Sequence, residues 1–215
     1  MVDAITQFER LLTSEELAQL QSMKSPFRIQ TFLDSTLYPP GERNRSPSEV
    51  LRERQAHCLD GGLFAAAALR RIGYPALIVD MQPEPGTDDD HVLAVFQEFG
   101  CWGAVAKSNY SGLRYREPIY ATIRELVLSY FDDFFNVHGQ KTLRTYTAPI
   151  DLAAFDDWQW MTEASGVDRI EELLKRADLT ALITEEQARY LSPVDERSFK
   201  AGTLGINPKG TYKPQ

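Results

Sequence analysis

The chain has 215 residues, a formal net charge of −8, 43% hydrophobic and 25% charged residues, enough apolar side chain to build a core without metals or disulfides. The acidic balance argues against nucleic acid or an anionic membrane as partner. The opening MVDAITQFERLL has no basic n-region and no apolar h-region, and no run approaches the ~20 apolar residues that span a bilayer, so a cytoplasmic protein without a membrane partner is expected.

Residues 4–24 read as one amphipathic helix or two short ones, with a break at the capping signal Thr13-Ser14-Glu15-Glu16. Ser25-Pro26 is read as the end of that region, and Pro39-Pro40-Gly41 as a turn. Ser46-Pro47-Ser48-Glu49 combines a cap, a proline at the first helical position and an acid at the third, which predicts a short helix over SEVLRERQ. From Leu59 to Arg71 alanine and leucine occupy most faces, the pattern of a buried central helix that stops at Gly73, with Pro75 barring its continuation. PALIVDM reads as a strand, EPGTDDD as a polar loop, and HVLAVFQEF with CWGAVAKS as a hairpin about Gly100. LRYREPIY adds a strand or a long turn. IRELVLSYFDDFF has helical periodicity through Ile123, Leu126, Val127 and Tyr130. LAAFDDWQWM, VDRIEELLKRADL and TEEQARYL read as further helices, and the tail from Ser198 as irregular with a mobile end. This order of helices, antiparallel strands and helices predicts one α+β domain over residues 1–215.

Two residues carry the chemistry. Cys58 stands where the central helix begins, and the positive end of the backbone dipole there favours a thiolate. His91 opens the next strand but one, where an imidazole in reach of the thiol would act as its base. The competing readings are a small buried apolar residue for Cys58 and a satisfied core histidine for His91. His57 is adjacent to Cys58, so its side chain should diverge from the thiol. Cys101 beside Trp102 reads as packing, and Asp88, Asp89 and Asp90 as a solvated loop. Zinc held by His57, Cys58, His91 and Cys101 would lack a paired CxxC or HxxxH, so no metal and no cofactor is expected.

SPSEVLRERQAHCLDGGLFAAAALRRIGYPALIV, then DHVLAVF, then GCWGAV, taken together, resemble the transglutaminase-like branch of the papain-like cysteine enzymes. The resemblance covers about a third of the chain, from Ser46 to about Asn109. It implies a core over about 46–120, a Cys-bearing helix packed on an antiparallel sheet, with residues 121–215 a mostly helical extension. It matches Cys58 to the family's nucleophile and His91 to its base. The family's orienting aspartate falls about four residues beyond the hairpin tryptophan, where this chain has Ala106. Alternation places Ser108 on the face of Trp102, Ala104 and Ala106, and a bulge would bring Asn109 there. Asn109 is the expected third residue of the site, with Ser108 next. The Cys58 N–H is the expected oxyanion donor, with Gln55 a candidate side-chain donor.

The implied activity is thiol-dependent hydrolysis or acyl transfer on an amide or peptide bond, with a peptide or amide substrate. Against it stands a catalytically inactive binding or scaffold domain, supported by Ala106. A third reading is a redox-sensing thiol, with Cys101 resolving a sulfenic acid on Cys58. Tyr110, Arg114, Tyr115, Arg116 and Tyr120 form either a packed surface or a rim that holds substrate.

Overall fold

A computed structural model describes residues 3–41 and 43–214. Three short helices come first: α1 (Ala4–Arg10), α2 (Ser14–Ser22) and α3 (Pro26–Asp34). The break at Thr13 is a capping box, in which Thr13 and Glu16 each accept the other's backbone N–H. The helical region over 4–24 does end before Ser25-Pro26, and the same pair starts a further helix beyond those expected from the sequence. Ser25 caps α3, and Pro26 takes a first-turn position where its missing N–H costs nothing. A second capping box, Ser46 with Glu49, opens α4 (Pro47–Glu53).

The centre of the molecule is α5 (Cys58–Arg71), buried from Cys58 to Leu69. It lies against β1 (Leu77–Pro83) and β2 (His91–Glu98). Phe99 and Gly100, both with positive φ (52° and 77°), turn β2 back into β3 (Cys101–Val105), the two-residue hairpin geometry that suits strand twist. Then come β4 (Arg116–Tyr120), α6 (Ile123–Leu128), β5 (Leu143–Thr147), β6 (Ile150–Asp151), a 3-10 segment over Leu152–Trp158, α7 (Ala164–Leu174), β7 (Leu179–Ala181), α8 (Glu185–Arg189), α9 (Glu196–Gly202) and a 3-10 turn at Pro208–Gly210.

The fold is α+β, built on one open antiparallel sheet. Among the described residues it has seven strands in the order β4-β3-β2-β1-β5-β7, with β6 also pairing β1. Both faces are covered. Ile78, Val92, Ala94 and Phe96 meet α5 and the helices around it, while Val79, Leu93, Val95 and Ala104 meet Leu126, Val127 and Tyr130 from the α6 region. Two-sided cover explains why β2 is buried at six successive positions rather than alternating. Among the described residues no helix is long and apolar enough to cross a membrane.

The region after residue 121 is less helical than its sequence suggests. Three strands, β5, β6 and β7, come from it and extend the central sheet. β7 pairs Leu179–Ala181 with Thr145–Thr147 through its backbone while all three of its side chains stay exposed, so it has no hydrophobic period to read. LAAFDDWQWM forms a 3-10 segment kinked at Phe155 instead of an α-helix. The tail is also ordered, as α9 and the Pro208–Gly210 turn.

Candidate active site

The position of Cys58 is set before α5 begins. Arg54 leaves α4 in the left-handed conformation (φ 55°), and the chain then pairs with Leu37: Leu37 N–H donates to the Arg54 carbonyl and Ala56 N–H to the Leu37 carbonyl. His57 is extended, and its N–H donates to Asp60, three residues into the helix. Asp60 is fully buried and also accepts the Arg45 N–H at 2.7 Å. Burial nonetheless pushes its carboxyl up to about 7. His57 turns toward this network, its Nε2 3.3 Å from Asp60 Oδ1, and burial with the nearby Arg45 charge lowers it to about 4. The imidazole beside Cys58 in sequence is thus part of the mount for the helix start.

His91 is set by the strand. It is the first residue of β2, pairs with Met81, and points with Leu93 and Val95 to the sheet face opposite α5. Its Nε2 lies 2.9 Å from the Leu113 carbonyl. A carbonyl only accepts, so Nε2 carries the proton and Nδ1 keeps its lone pair. Phe134 packs edge-on against the ring.

Cys58 and His91 both line a cavity of about 40 Å³ at the first residue of β2, together with Ser108 and Asn109. A larger cavity of about 440 Å³ opens on the other side of Cys58, between His57, Asp90, Glu171 and Lys175. That volume is in the range of small-molecule sites. Cys58 itself is 6% exposed and His91 4%. The sulfur's hydrogen bond goes to the Asp90 carbonyl at 3.6 Å, not to the imidazole. Burial, then the Asp90, Asp89 and Asp80 carboxylates, push the thiol well above its usual value. Burial lowers the imidazole to about 4, against the opposing Leu113 bond. In this conformation the pair is neutral thiol and neutral imidazole.

Asn109 and Ser108 reach the cavity but do not hold the imidazole. Asn109 Nδ2 donates to the Asn207 and Gly210 carbonyls at 2.9 and 3.2 Å, and its Oδ1 accepts the Asn207 N–H at 2.8 Å. Ser108 Oγ accepts the Tyr110 N–H. The backbone carbonyl of Leu113 takes the orienting place expected of Asn109. Gln55 is not at the thiol either, since its Oε1 accepts from Arg45 and it lines neither cavity beside Cys58. Tyr38 stands there instead, lining both cavities with Cys58, and burial, then the neighbouring Cys58, raises its phenol well above the usual value.

The two arginines of the expected rim are spent on packing. Arg114 pairs with Asp34, and Arg116 pairs with Asp133 and lies 4.0 Å over the Tyr130 ring. Tyr110 alone of that group reaches the small cavity. The redox reading is contradicted by position. Cys101 pairs with Glu98 at the far end of β2 from Cys58, about 20 Å away at the rise of a strand. Among the described residues no three His, Cys, Asp or Glu side chains group as metal ligands.

Tyr38 carried no sequence signal of its own, though the Pro39-Pro40-Gly41 turn after it marks a chain reversal. A backbone carbonyl such as that of Leu113 has none. No protein-family model matches the chain, and no curated protein matches it in sequence.

Proposed function

We propose that Cys58 and His91 form a thiol–imidazole pair that cleaves an amide or peptide bond, in a domain of transglutaminase-like, papain-like architecture. The observation that carries this reading is the shared cavity at the start of β2, with the His91 Nε2 proton committed to Leu113 and Nδ1 left as the basic nitrogen. The arrangement of a helix that begins at the cysteine, packed on an antiparallel sheet whose second strand begins at the histidine, supports it.

In the proposed reaction the thiol proton passes to His91 Nδ1 as sulfur attacks the substrate carbonyl carbon. The Cys58 N–H, at the start of the helix, receives the oxyanion once Tyr38 has moved away from Cys58. The C–N bond then breaks, the imidazolium returns its proton to the leaving amine, and a thioester remains on Cys58. Water attacking the thioester gives hydrolysis, and a primary amine gives transfer. The cavity of about 440 Å³ beside Cys58 is the place for the acyl side of the substrate.

A second reading, an inactive binding domain, is favoured by Ala106 at the expected acid position and by the thiol's bond to the Asp90 carbonyl. A peptide-amide library read by mass spectrometry separates the two. The first reading predicts cleavage that disappears in Cys58→Ser and His91→Ala, with the new amide of the added amine as product when a primary amine is supplied. Binding of peptides without cleavage, unchanged in Cys58→Ser, would establish the second.

A further inference from the structure

The C-terminal segment is held across the candidate site from three directions. Asn109 grips Asn207 and Gly210 through the three hydrogen bonds given above. Asn207 Nδ2 donates to the Tyr38 carbonyl at 2.9 Å. Gly210 sits so close to Tyr38 that a Cβ there would fall 2.9 Å from ring atom Cδ1 and 3.0 Å from the Pro39 carbonyl oxygen. Gly210, Thr211 and Tyr212 line both cavities that flank Cys58.

These contacts have one consequence in common. The segment pins Tyr38, and Tyr38 lines both cavities beside Cys58. Asn109, which reaches the His91 cavity, spends both ends of its amide on this segment.

We propose that Asn207–Tyr212 is an autoinhibitory strap, latched by Asn109, that holds Tyr38 over Cys58 and must lift before the thiol meets a substrate. The proposal concerns the site assigned above, but its test reads access to the thiol rather than turnover. It therefore stands or fails apart from the catalytic reading. A segment with a single 3-10 turn, held by a few hydrogen bonds and outside any α-helix or strand, is of the kind that opens without global unfolding.

Two full-length variants break the contact from opposite sides. Asn109→Leu removes three hydrogen bonds at nearly constant volume, and Gly210→Ala pushes the strap off the Tyr38 ring. Iodoacetamide labelling at fixed pH is resolved for each cysteine by mass spectrometry, with Cys101, remote from the strap, as the internal reference. Hydrogen exchange reports the Asn207 amide, which Asn109 Oδ1 protects in the parent. The strap predicts that Asn207 exchange speeds up in both variants and that Cys58 labelling rises tenfold or more relative to Cys101, the scale of two or three lost hydrogen bonds. Faster Asn207 exchange with unchanged Cys58 labelling overturns it. So does an Asn207 amide that exchanges freely in the parent, and so does an equal rise at both cysteines, which reports loosening of the whole fold.

Discussion

Alanine at Gly61 should destabilise this protein, although in an isolated helix the same change is favourable by about 1 kcal/mol. Gly61 is in the first turn of α5, where a Cβ would fall 2.2 Å from Lys107 Cβ and 3.4 Å from Lys107 Cα. Carbon atoms prefer ~3.5–4.0 Å, so helix and strand must separate. Lys107 cannot yield, because its Nζ donates to the Leu33 and Thr36 carbonyls and its side chain is buried. Overpacking costs about 1–3 kcal/mol, and an approach of 2.2 Å to a Cβ belongs in the upper part of that range, so about 1–2 kcal/mol remains after the propensity gain is subtracted. Gly62 meets Val92 Cγ1 at 2.7 Å, a side-chain atom that can shift, so Gly62→Ala should cost less. In thermal unfolding followed by circular dichroism, Gly61→Ala should lower Tm by roughly 2–8 °C, at about 2–4 °C per kcal/mol for a chain of this size. A Gly61→Ala protein as stable as the parent would refute the close approach of α5 to the strand end, and with it the placement of Cys58.

Other perturbations reach the site from different sides. Asp80 is fully buried with Oδ1 unpartnered, and burial raises its carboxyl above the ordinary value. The folded state keeps that proton in a range where the unfolded chain has lost it, so this group's contribution to stability falls as pH rises from about 4. Asp80→Asn, which keeps the Gln82 hydrogen bond, should be more stable than the parent by about 1 kcal/mol at pH 8 and indistinguishable near pH 4; urea unfolding at the two pH values checks both the sign and the window. Tyr38→Phe removes the hydroxyl beside Cys58 and should raise Cys58 alkylation about fivefold, the scale of about one hydrogen bond, whereas a fall would mean that the hydroxyl assists the thiol. Arg70→Ala breaks the paired bonds of 2.6 and 2.8 Å to Asp156 that tie the end of α5 to the 3-10 segment; it should cost about 1 kcal/mol without changing Cys58 labelling.

The caps, the buried central helix, the hairpin turn and the order of the first three strands were legible because each rests on local chemistry. A serine before a proline and three residues before an acid, a glycine at a two-residue turn and an alanine-rich run say what they do within a few residues. Ser25-Pro26 marked the end of the first helical region but hid the start of α3, because a proline marks helix starts as readily as helix ends and only the Ser25 cap shows that it does both here. β5 and β7 escaped because their partners lie far away in sequence. Cys58 and His91 stand at the starts of α5 and β2, as local sequence placed them. The Leu113 carbonyl was not legible, since any residue type supplies one. Asn109 was the right residue for the neighbourhood with another partner: an amide serves a backbone strap as well as an imidazole, and only the fold shows which. The tail read as irregular because Asn207-Pro208-Lys209-Gly210 has no periodicity, yet it carries most of α9 and a 3-10 turn that contacts from residues far back in the chain hold.

The central claim is that His91 serves Cys58 as its base, and the pH profile of Cys58 alkylation tests it most directly. The measurement is made with Cys101→Ser, in the latched protein and in Asn109→Leu, each with and without His91→Ala. In the latched protein, labelling should be slow and confined to high pH, because burial and the surrounding carboxylates hold the thiol neutral. In Asn109→Leu a reactive limb should appear well below the free-cysteine value of about 8.5 and vanish with His91→Ala. A limb at or above 8.5 in both backgrounds, indifferent to His91, would contradict the account and leave the domain a binding module.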